Sequence, residues 1–132
     1  MLEGYFDAAY ADNRDQKSTG GYTFMYYGSL ISWASKVQRV IALSTAEAEY
    51  MAGTESAREV LWLRNLLREV GETVKGATRI FGGNTGSNAI AKNSQFHPRT
   101  KHIEIRERFI NALVEAGEIQ IIYIPTDKML TD

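Results

Sequence analysis

The sequence contains no cysteine, and this absence excludes two kinds of site at once. Without thiols the chain can form neither disulfides nor thiolate metal centres, so oxygen or imidazole must hold any bound metal. The two histidines, His97 and His102, have no third ligand of the zinc type beside them, and a zinc site is not expected. Their expected roles are loop packing or, beside a metal, help with proton transfer or product release.

Long apolar runs and a charge excess of one sign are also missing. No apolar run approaches the roughly 18 residues of a membrane-spanning helix, and the N-terminus lacks the basic-then-apolar order of a signal peptide. Sixteen acidic residues nearly balance fifteen Lys and Arg, which leaves a net charge of −1. Nucleic-acid binding would therefore depend on a local patch. We expect a soluble protein inside the cell, in the cytoplasm or nucleus.

The residues that are present suffice for one core. A chain of 132 residues that is 44% hydrophobic can bury one sizeable core but not two. We therefore expect a single domain spanning residues 1–132.

The first half of the chain predicts strands followed by a long helix. Aromatic and β-branched runs separated by Gly and Ser predict an antiparallel meander of three strands. Ser44 precedes Glu47 as in a capping box, so a helix should begin near Thr45 and end near Gly71. The apolar stripe of this helix consists of Val60, Leu63, Leu67 and Val70. Charged residues fill its other faces: Arg58, Glu59, Arg64, Arg68 and Glu69.

The second half predicts a βα unit, a further helix and a last strand. The strand 77–81 ends in Gly82-Gly83, and a short helix follows over 87–92. The next helix carries apolar residues at near-helical spacing and is closed by Gly117, before a buried strand over 119–124. Those apolar residues are Ile105, Phe109, Ala112 and Leu113. This order predicts an α/β fold, a mixed sheet with helices packed on it.

Three acidic residues lie in or beside predicted strands and helices, at positions where an acid is not needed for solubility. Asp7 interrupts an apolar, aromatic strand, Glu49 lies among small residues one turn into the long helix, and Asp132 follows the last strand. Each acid also has a purely structural explanation. Asp7 could face solvent at the edge of the sheet, Glu49 could interact favourably with the helix dipole, and Asp132 could lie in a frayed terminus. A two-metal phosphodiester site, however, needs several carboxylates from distant segments, and hard oxygen ligands suit Mg²⁺ or Mn²⁺.

Five segments spread over nearly the whole chain form a specific combination. They are GYFDAAYA at 4–11, KSTGGY at 17–22, ISW with SK at 31–36, ALSTAEAEYMA at 42–52 and HPRTKHI at 97–103. Together they resemble the ribonuclease H domain at the end of copia-type retrotransposon polyproteins. The resemblance implies a ribonuclease H-like fold, a five-stranded mixed sheet that begins with three antiparallel strands. It further implies cleavage of the RNA strand of RNA–DNA hybrids with two Mg²⁺ ions, beside a reverse transcriptase in one polyprotein.

The resemblance also assigns roles to the acids. Asp7 matches the acid that bridges both metals, Glu49 matches the helix carboxylate, and Asp132 matches the last acid, with Asp127 as the alternative. The family continues into a further C-terminal helix that this chain lacks, which would leave Asp132 on a poorly ordered tail.

One position departs from the family. Where the family has an Asp-Asn pair at the end of the fourth strand, this chain has Gly83-Asn84, so the third carboxylate is absent. A neutral amide cannot replace a charge that offsets a divalent cation. We therefore predict weak metal occupancy and hydrolysis reduced by several orders of magnitude.

A basic window supplies candidates for nucleic-acid contact. Its cations are Lys92, Arg99, Lys101, Arg106 and Arg108, opposed by Glu104 and Glu107. The window either tracks a phosphate backbone or is a solvated helix face. If the window binds an RNA–DNA hybrid, selectivity should come from the shape of the hybrid and from its 2′-hydroxyl groups, and no specificity for base sequence is expected. The backbone contacts are assigned to Arg99, Thr100 and Lys101, and Asn84 and His102 are further substrate-binding candidates.

Three functions stay open at this stage. The first is a catalytically impaired ribonuclease H-like domain that keeps affinity for nucleic acid or serves as a binding or interaction module. The second is a working ribonuclease H that tolerates Gly83 by recruiting Asn84 or another acid. The third is a relic of a mobile element without a selected function.

Overall fold

The protein, as a computed structural model, is described for residues 1–83 and 101–124, with the backbone alone at 83 and 101–103. Within these ranges the elements are β1 (Leu2–Ala9), β2 (Thr19–Tyr26), β3 (Ser29–Val37), α1 (Thr45–Glu69), β4 (Thr78–Gly83), α2 (Lys101–Glu115) and β5 (Ile119–Ile124). The strands form one sheet in the order β3-β2-β1-β4-β5. Strands β1, β2 and β3 pair antiparallel, whereas the β1–β4 and β4–β5 pairs are parallel. The predicted five-stranded mixed sheet is confirmed.

Two further expectations concern the helices. The short helix expected over 87–92 lies outside the described residues. Among the residues that are described, neither α1 nor α2 combines the length and the apolar character needed to span a bilayer.

Helix α1 begins and ends where its sequence signals predict. The hydroxyl of Ser44 accepts a hydrogen bond from the N–H of Glu47 at 3.1 Å, so Ser44 is the N-cap. At the other end Gly71 adopts a φ of 90°. Its N–H and that of the next residue donate to the carbonyls of Arg68 and Leu67, at 3.1 and 2.9 Å. These two bonds form a Schellman motif, which satisfies carbonyls at the helix end.

The core lies between the sheet and the two helices, with Phe6 at its centre. The Phe6 side chain is 2% exposed and belongs to the main apolar cluster. Its ring is approached from α1 by Gly53 and from β4 by Gly82. A Cβ at Gly53 would stand 3.1 Å from the ring, and one at Gly82 only 2.0 Å from it. The absence of side chains at these two positions therefore allows the helix and the strand to approach Phe6 closely.

Helix α2 is present where expected, but it buries only part of the predicted apolar set. Phe109 and Leu113 pack against the core, and Ile110 joins them. Ile105 is 60% exposed, and Ala112 is also exposed. The spacing therefore predicted the helix correctly but defined its buried face too broadly.

Arg64 was predicted to lie on a polar face of α1, and this prediction is wrong. Its side chain is 4% exposed. Nε donates to Glu118 Oε2 at 2.7 Å, and Nη1 donates to the Gly76 carbonyl at 2.9 Å and to Thr78 Oγ1 at 2.8 Å. Arg64 follows Val60 by one helical turn and so shares its inward face. Burial of this guanidinium is compatible with stability because Nε and Nη1 together make three hydrogen bonds inside the protein.

We predict that Arg64→Met destabilises the fold strongly, because Glu118 would lose its principal partner inside the protein. The expected loss is about 3 kcal/mol in the free energy of unfolding, measured by urea denaturation. Arg68→Ala is the matched control: Arg68 reaches Glu118 only at 3.8 Å and is 43% exposed. Its loss should cost less than about 1 kcal/mol. Equal losses for the two variants would contradict the assignment of Arg64.

A second prediction concerns the glycines around Phe6. Gly82→Ala should cost about 3 kcal/mol of stability, because the new methyl group would overlap the ring. Gly53→Ala should be nearly neutral: its contact is looser, and replacing a helical glycine by alanine contributes about 1 kcal/mol of helix propensity. Denaturant titrations would test both. Adding Phe6→Leu should recover part of the loss in Gly82→Ala, and no recovery would contradict the proposed clash.

Candidate functional site

Two of the candidate positions lie at one edge of the sheet. Strands β1 and β4 are parallel, so their C-terminal ends meet at the same edge. Phe6 is the register partner of Gly82. The residues that follow them, Asp7 and Gly83, therefore lie at this edge together.

Glu49 reaches the same edge from α1. Ala8 packs against a small cluster formed by Ala42, Ala48 and Met51. Since Ala8 follows Asp7 and Ala48 precedes Glu49, this packing brings the two carboxylates close enough for their charges to interact.

The environment of Glu49 disfavours its negative charge. The residue is 7% exposed, and burial raises the pKa of its carboxyl above the usual 4.5, with a further increase from the charge of Asp7. Its Oε2 atom is buried and has no hydrogen-bond partner among the described residues. A bound cation would supply the missing partner and offset the repulsion. The pair therefore fits an oxygen-ligated divalent cation.

Two tyrosines near Glu49 were not identified from the sequence. Burial raises the pKa of Tyr123, and the charge of Glu49 raises it further. Burial also raises the pKa of Tyr50, with smaller contributions from Glu107 and Tyr123. Both hydroxyls therefore stay protonated at neutral pH. Alternation along β5 could have revealed Tyr123, because it places this residue on the same face as the core residue Ile119.

Several predicted site residues lie outside the described part of the chain: Asn84, Lys92, His97, Arg99, Thr100, Asp127 and Asp132. Lys101 and His102 form the start of α2. Within the described residues, no cluster of three or more acidic or histidine side chains could hold a metal. The described structure thus brings together Asp7, Glu49 and the backbone of Gly83.

The basic window does not form one surface in its helical part. Arg106 and Arg108 are two residues apart in α2 and so point about 200° apart. Arg108 is exposed, whereas burial lowers the pKa of Arg106, and the nearby Arg58 lowers it further. Arg106 faces α1, and the window separates into two surfaces.

The raised pKa of Glu49 predicts a pH-dependent gain in stability for Glu49→Gln. Below the usual pKa of 4.5 the carboxyl is protonated in both the folded and the unfolded chain, so the variant and the parent should melt alike. As the pH rises, the unfolded chain ionises first and the parent loses stability. Without divalent ions at pH 7 the variant should melt higher, and each kcal/mol corresponds to about 3 °C. Added Mg²⁺ should then stabilise the parent more than the variant. A lower melting temperature for the variant at pH 7 would refute this account.

Known proteins resemble the chain over its whole length, although no family model matches it. It is 39% identical to the retrovirus-related Pol polyprotein from transposon TNT 1-94 of Nicotiana tabacum, across 100% of the chain and 10% of the polyprotein. It is 35% identical to the corresponding polyprotein from transposon RE1 of Arabidopsis thaliana, across 99% of the chain and 9% of that protein. The chain spans about a tenth of the length of these relatives.

The fold resembles that of a solved ribonuclease H. The crystal structure of LC11-RNase H1 in complex with RNA/DNA hybrid superimposes with a TM-score of 0.62, across 99% of this chain and 90% of the other. The sequence identity is 13%, so this likeness establishes the fold alone. The chain is therefore a ribonuclease H-like domain, homologous over its full length to part of the copia-type retrotransposon Pol polyproteins.

Proposed function

We propose that Asp7 and Glu49 bind a divalent cation, Mg²⁺ or Mn²⁺, against the RNA strand of an RNA–DNA hybrid. We further propose that hydrolysis is strongly reduced because residue 83 is glycine. The observation that carries this proposal is the buried Glu49 carboxylate, which lies close enough to Asp7 for their charges to interact. Its Oε2 atom has no hydrogen-bond partner among the described residues. The homology and the fold support the substrate class, since LC11-RNase H1 was solved with an RNA/DNA hybrid.

The two carboxylates differ in how they are held. Asp7 Oδ1 accepts a hydrogen bond from the Ala8 N–H at 2.8 Å, which orients that side chain at the edge of the sheet. Glu49 is fixed by its position in α1 and by the surrounding small side chains. A pair of carboxylates oriented in this way can bind a cation without a large loss of conformational entropy.

Gly83 limits what this pair can do. A divalent cation bound here would activate water and stabilise the charge that develops on a phosphate. Two described carboxylates offset its charge, and a carboxylate at the end of β4 would add a third. Losing one component of such a site commonly raises the barrier by about 3 to 4 kcal/mol, which corresponds to about two to three orders of magnitude in rate.

The remaining assignments are part of the same proposal. Asp132 is assigned as the further acid, with Asp127 as its alternative, and Asn84 and His102 are assigned to contacts with the substrate. Contacts to the hybrid backbone are assigned to Arg99, Thr100 and Lys101.

Cleavage of a labelled RNA–DNA hybrid, in Mg²⁺ and separately in Mn²⁺, tests the proposal. The parent chain should cleave very slowly, and Gly83→Asp should raise the rate by at least about 100-fold, because it adds a charged ligand. Gly83→Asn is the matched control: it adds a side chain of similar size without the charge and should give no increase.

Other outcomes would favour the other candidate functions. Robust cleavage by the parent, abolished by Asp7→Ala, would mean an active ribonuclease H that tolerates Gly83. Hybrid binding with no cleavage by the parent or by Gly83→Asp would indicate a binding module. No binding and no cleavage would refute the proposed function.

A further inference from the structure

A groove opens on the helix side of the sheet, between α1 and the β2–β3 pair. Its volume is about 490 Å³. Small residues line it, including Gly20 and Ala34 from the strands and Ala52 from α1. A Cβ on Gly20 would lie 3.3 Å from that of Ala52, so the strand and the helix are close at this point. The small side chains leave a shallow channel over the strands.

Positive charges line this channel. Lys36 and Arg39 come from the end of β3 and the residues after it, Arg58 comes from α1, and Arg106 comes from α2. We call this channel, with these four cations, the basic groove. Glu55 is the one carboxylate among the described residues that line it. In a chain of net charge −1, this is a local concentration of positive charge.

Two of the cations are available for a ligand. The ion pairs among the described residues include neither Lys36 nor Arg39, and both residues are exposed. Both residues line the groove, and their long side chains can keep their charges in solvent.

The other two cations are held close to each other. Arg58 pairs with Glu55 at 3.0 Å and lies over the ring of Phe109. Its charge contributes to the lowered pKa of Arg106, whose main cause is burial. The charges of Glu55 and Glu47 offset part of the repulsion between the two cations. A bound anion would add to that compensation at both guanidinium groups.

One side of the groove is fixed to α1. Gln38 Nε2 donates to the Ala48 carbonyl at 2.8 Å, and the Gln38 N–H donates to the Ser18 carbonyl at 2.8 Å. These bonds tie the segment between Lys36 and Arg39 to the helix and to the residue that precedes β2. The cations at this side are therefore attached to a rigid backbone, which favours binding.

We propose that the basic groove binds the phosphodiester backbone of a nucleic-acid strand that passes the Asp7–Glu49 pair. The inference rests on the proposed function and adds a second contact surface to it. The groove begins beside the acidic pair: Gly20 is the register partner of Ala8, and Met51, which lines the groove, is two residues from Glu49.

A strand fits this groove better than a free phosphate ion does. The four cations come from the end of β3 and the residues after it, from α1 and from α2, and they line a groove of about 490 Å³, whereas a single phosphate needs donors that converge on one point. Contacts of this kind hold a backbone in place and carry no sequence information. The groove should therefore bind strands without regard to base sequence.

Fluorescence anisotropy with a labelled RNA–DNA hybrid, without divalent ions and over a range of salt concentrations, tests the proposal. Lys36→Gln/Arg39→Gln should raise Kd on the order of tenfold and reduce the slope of log Kd against log salt by about 2. Arg68→Gln/Lys75→Gln removes the same charge at and beyond the other end of α1 and should leave Kd within about twofold. Melting temperatures close to that of the parent would show that all variants fold.

A substitution with the opposite effect makes the test sharper. Glu55→Gln removes the carboxylate that lines the groove and should lower Kd, whereas simple structural damage would raise it. Inorganic phosphate at equal ionic strength should displace the hybrid no better than chloride does.

The outcomes separate the two proposals. If the parent binds the hybrid and the Lys36/Arg39 variant binds it equally well, the proposed binding role of the groove is refuted and the proposed function stands. If both double variants weaken binding equally, the effect is overall charge and the groove is again refuted. If the parent binds the hybrid only when Mg²⁺ is added, the groove alone is refuted, and if it binds no hybrid with or without Mg²⁺, both proposals fail.

Discussion

The contact of Phe6 with Gly53 and Gly82 joins α1, β1 and β4 in one packed unit, and the acidic edge lies directly beside it. Each candidate position is tied to one member of this contact: Asp7 follows Phe6, Glu49 is one helical turn before Gly53, and Gly83 follows Gly82. A ring held between two glycines allows little displacement, because close-packed interiors transmit shifts directly. The core therefore determines where the two carboxylates lie, and the hydrogen bond from the Ala8 N–H orients the carboxylate of Asp7.

Local signals in the sequence were sufficient for most of the fold. The capping serine, the glycine at the end of α1 and the strand runs depend on neighbours in sequence, and the structure confirms them. The burial of Arg64 depends on partners up to 54 residues away and could not be predicted from charge. Its position one turn after Val60 was the available signal, because that spacing places Arg64 on the inward face of α1.

The candidate site was predictable in its members but not in its surroundings. The acids were identified by resemblance, whereas the raised pKa of Glu49 follows from burial and from Asp7, which only the folded chain reveals. The basic groove could not be predicted from one contiguous window of sequence, because its cations come from the end of β3 and the residues after it, from α1 and from α2. Within that window, helical geometry directs Arg106 and Arg108 to different surfaces.

The Arg64 hydrogen bonds also bear on how the domain folds. They join α1 to the start of β4 and to the turn before β5. In a fragment made of β1–β3 and α1 alone, the Arg64 guanidinium would therefore lack its main hydrogen-bond partners. Helix and last strand thus form one cooperative unit, in which neither reaches its native stability before the other docks. An N-terminal fragment that ends after α1 would not be an autonomous folding unit, although it contains both Asp7 and Glu49.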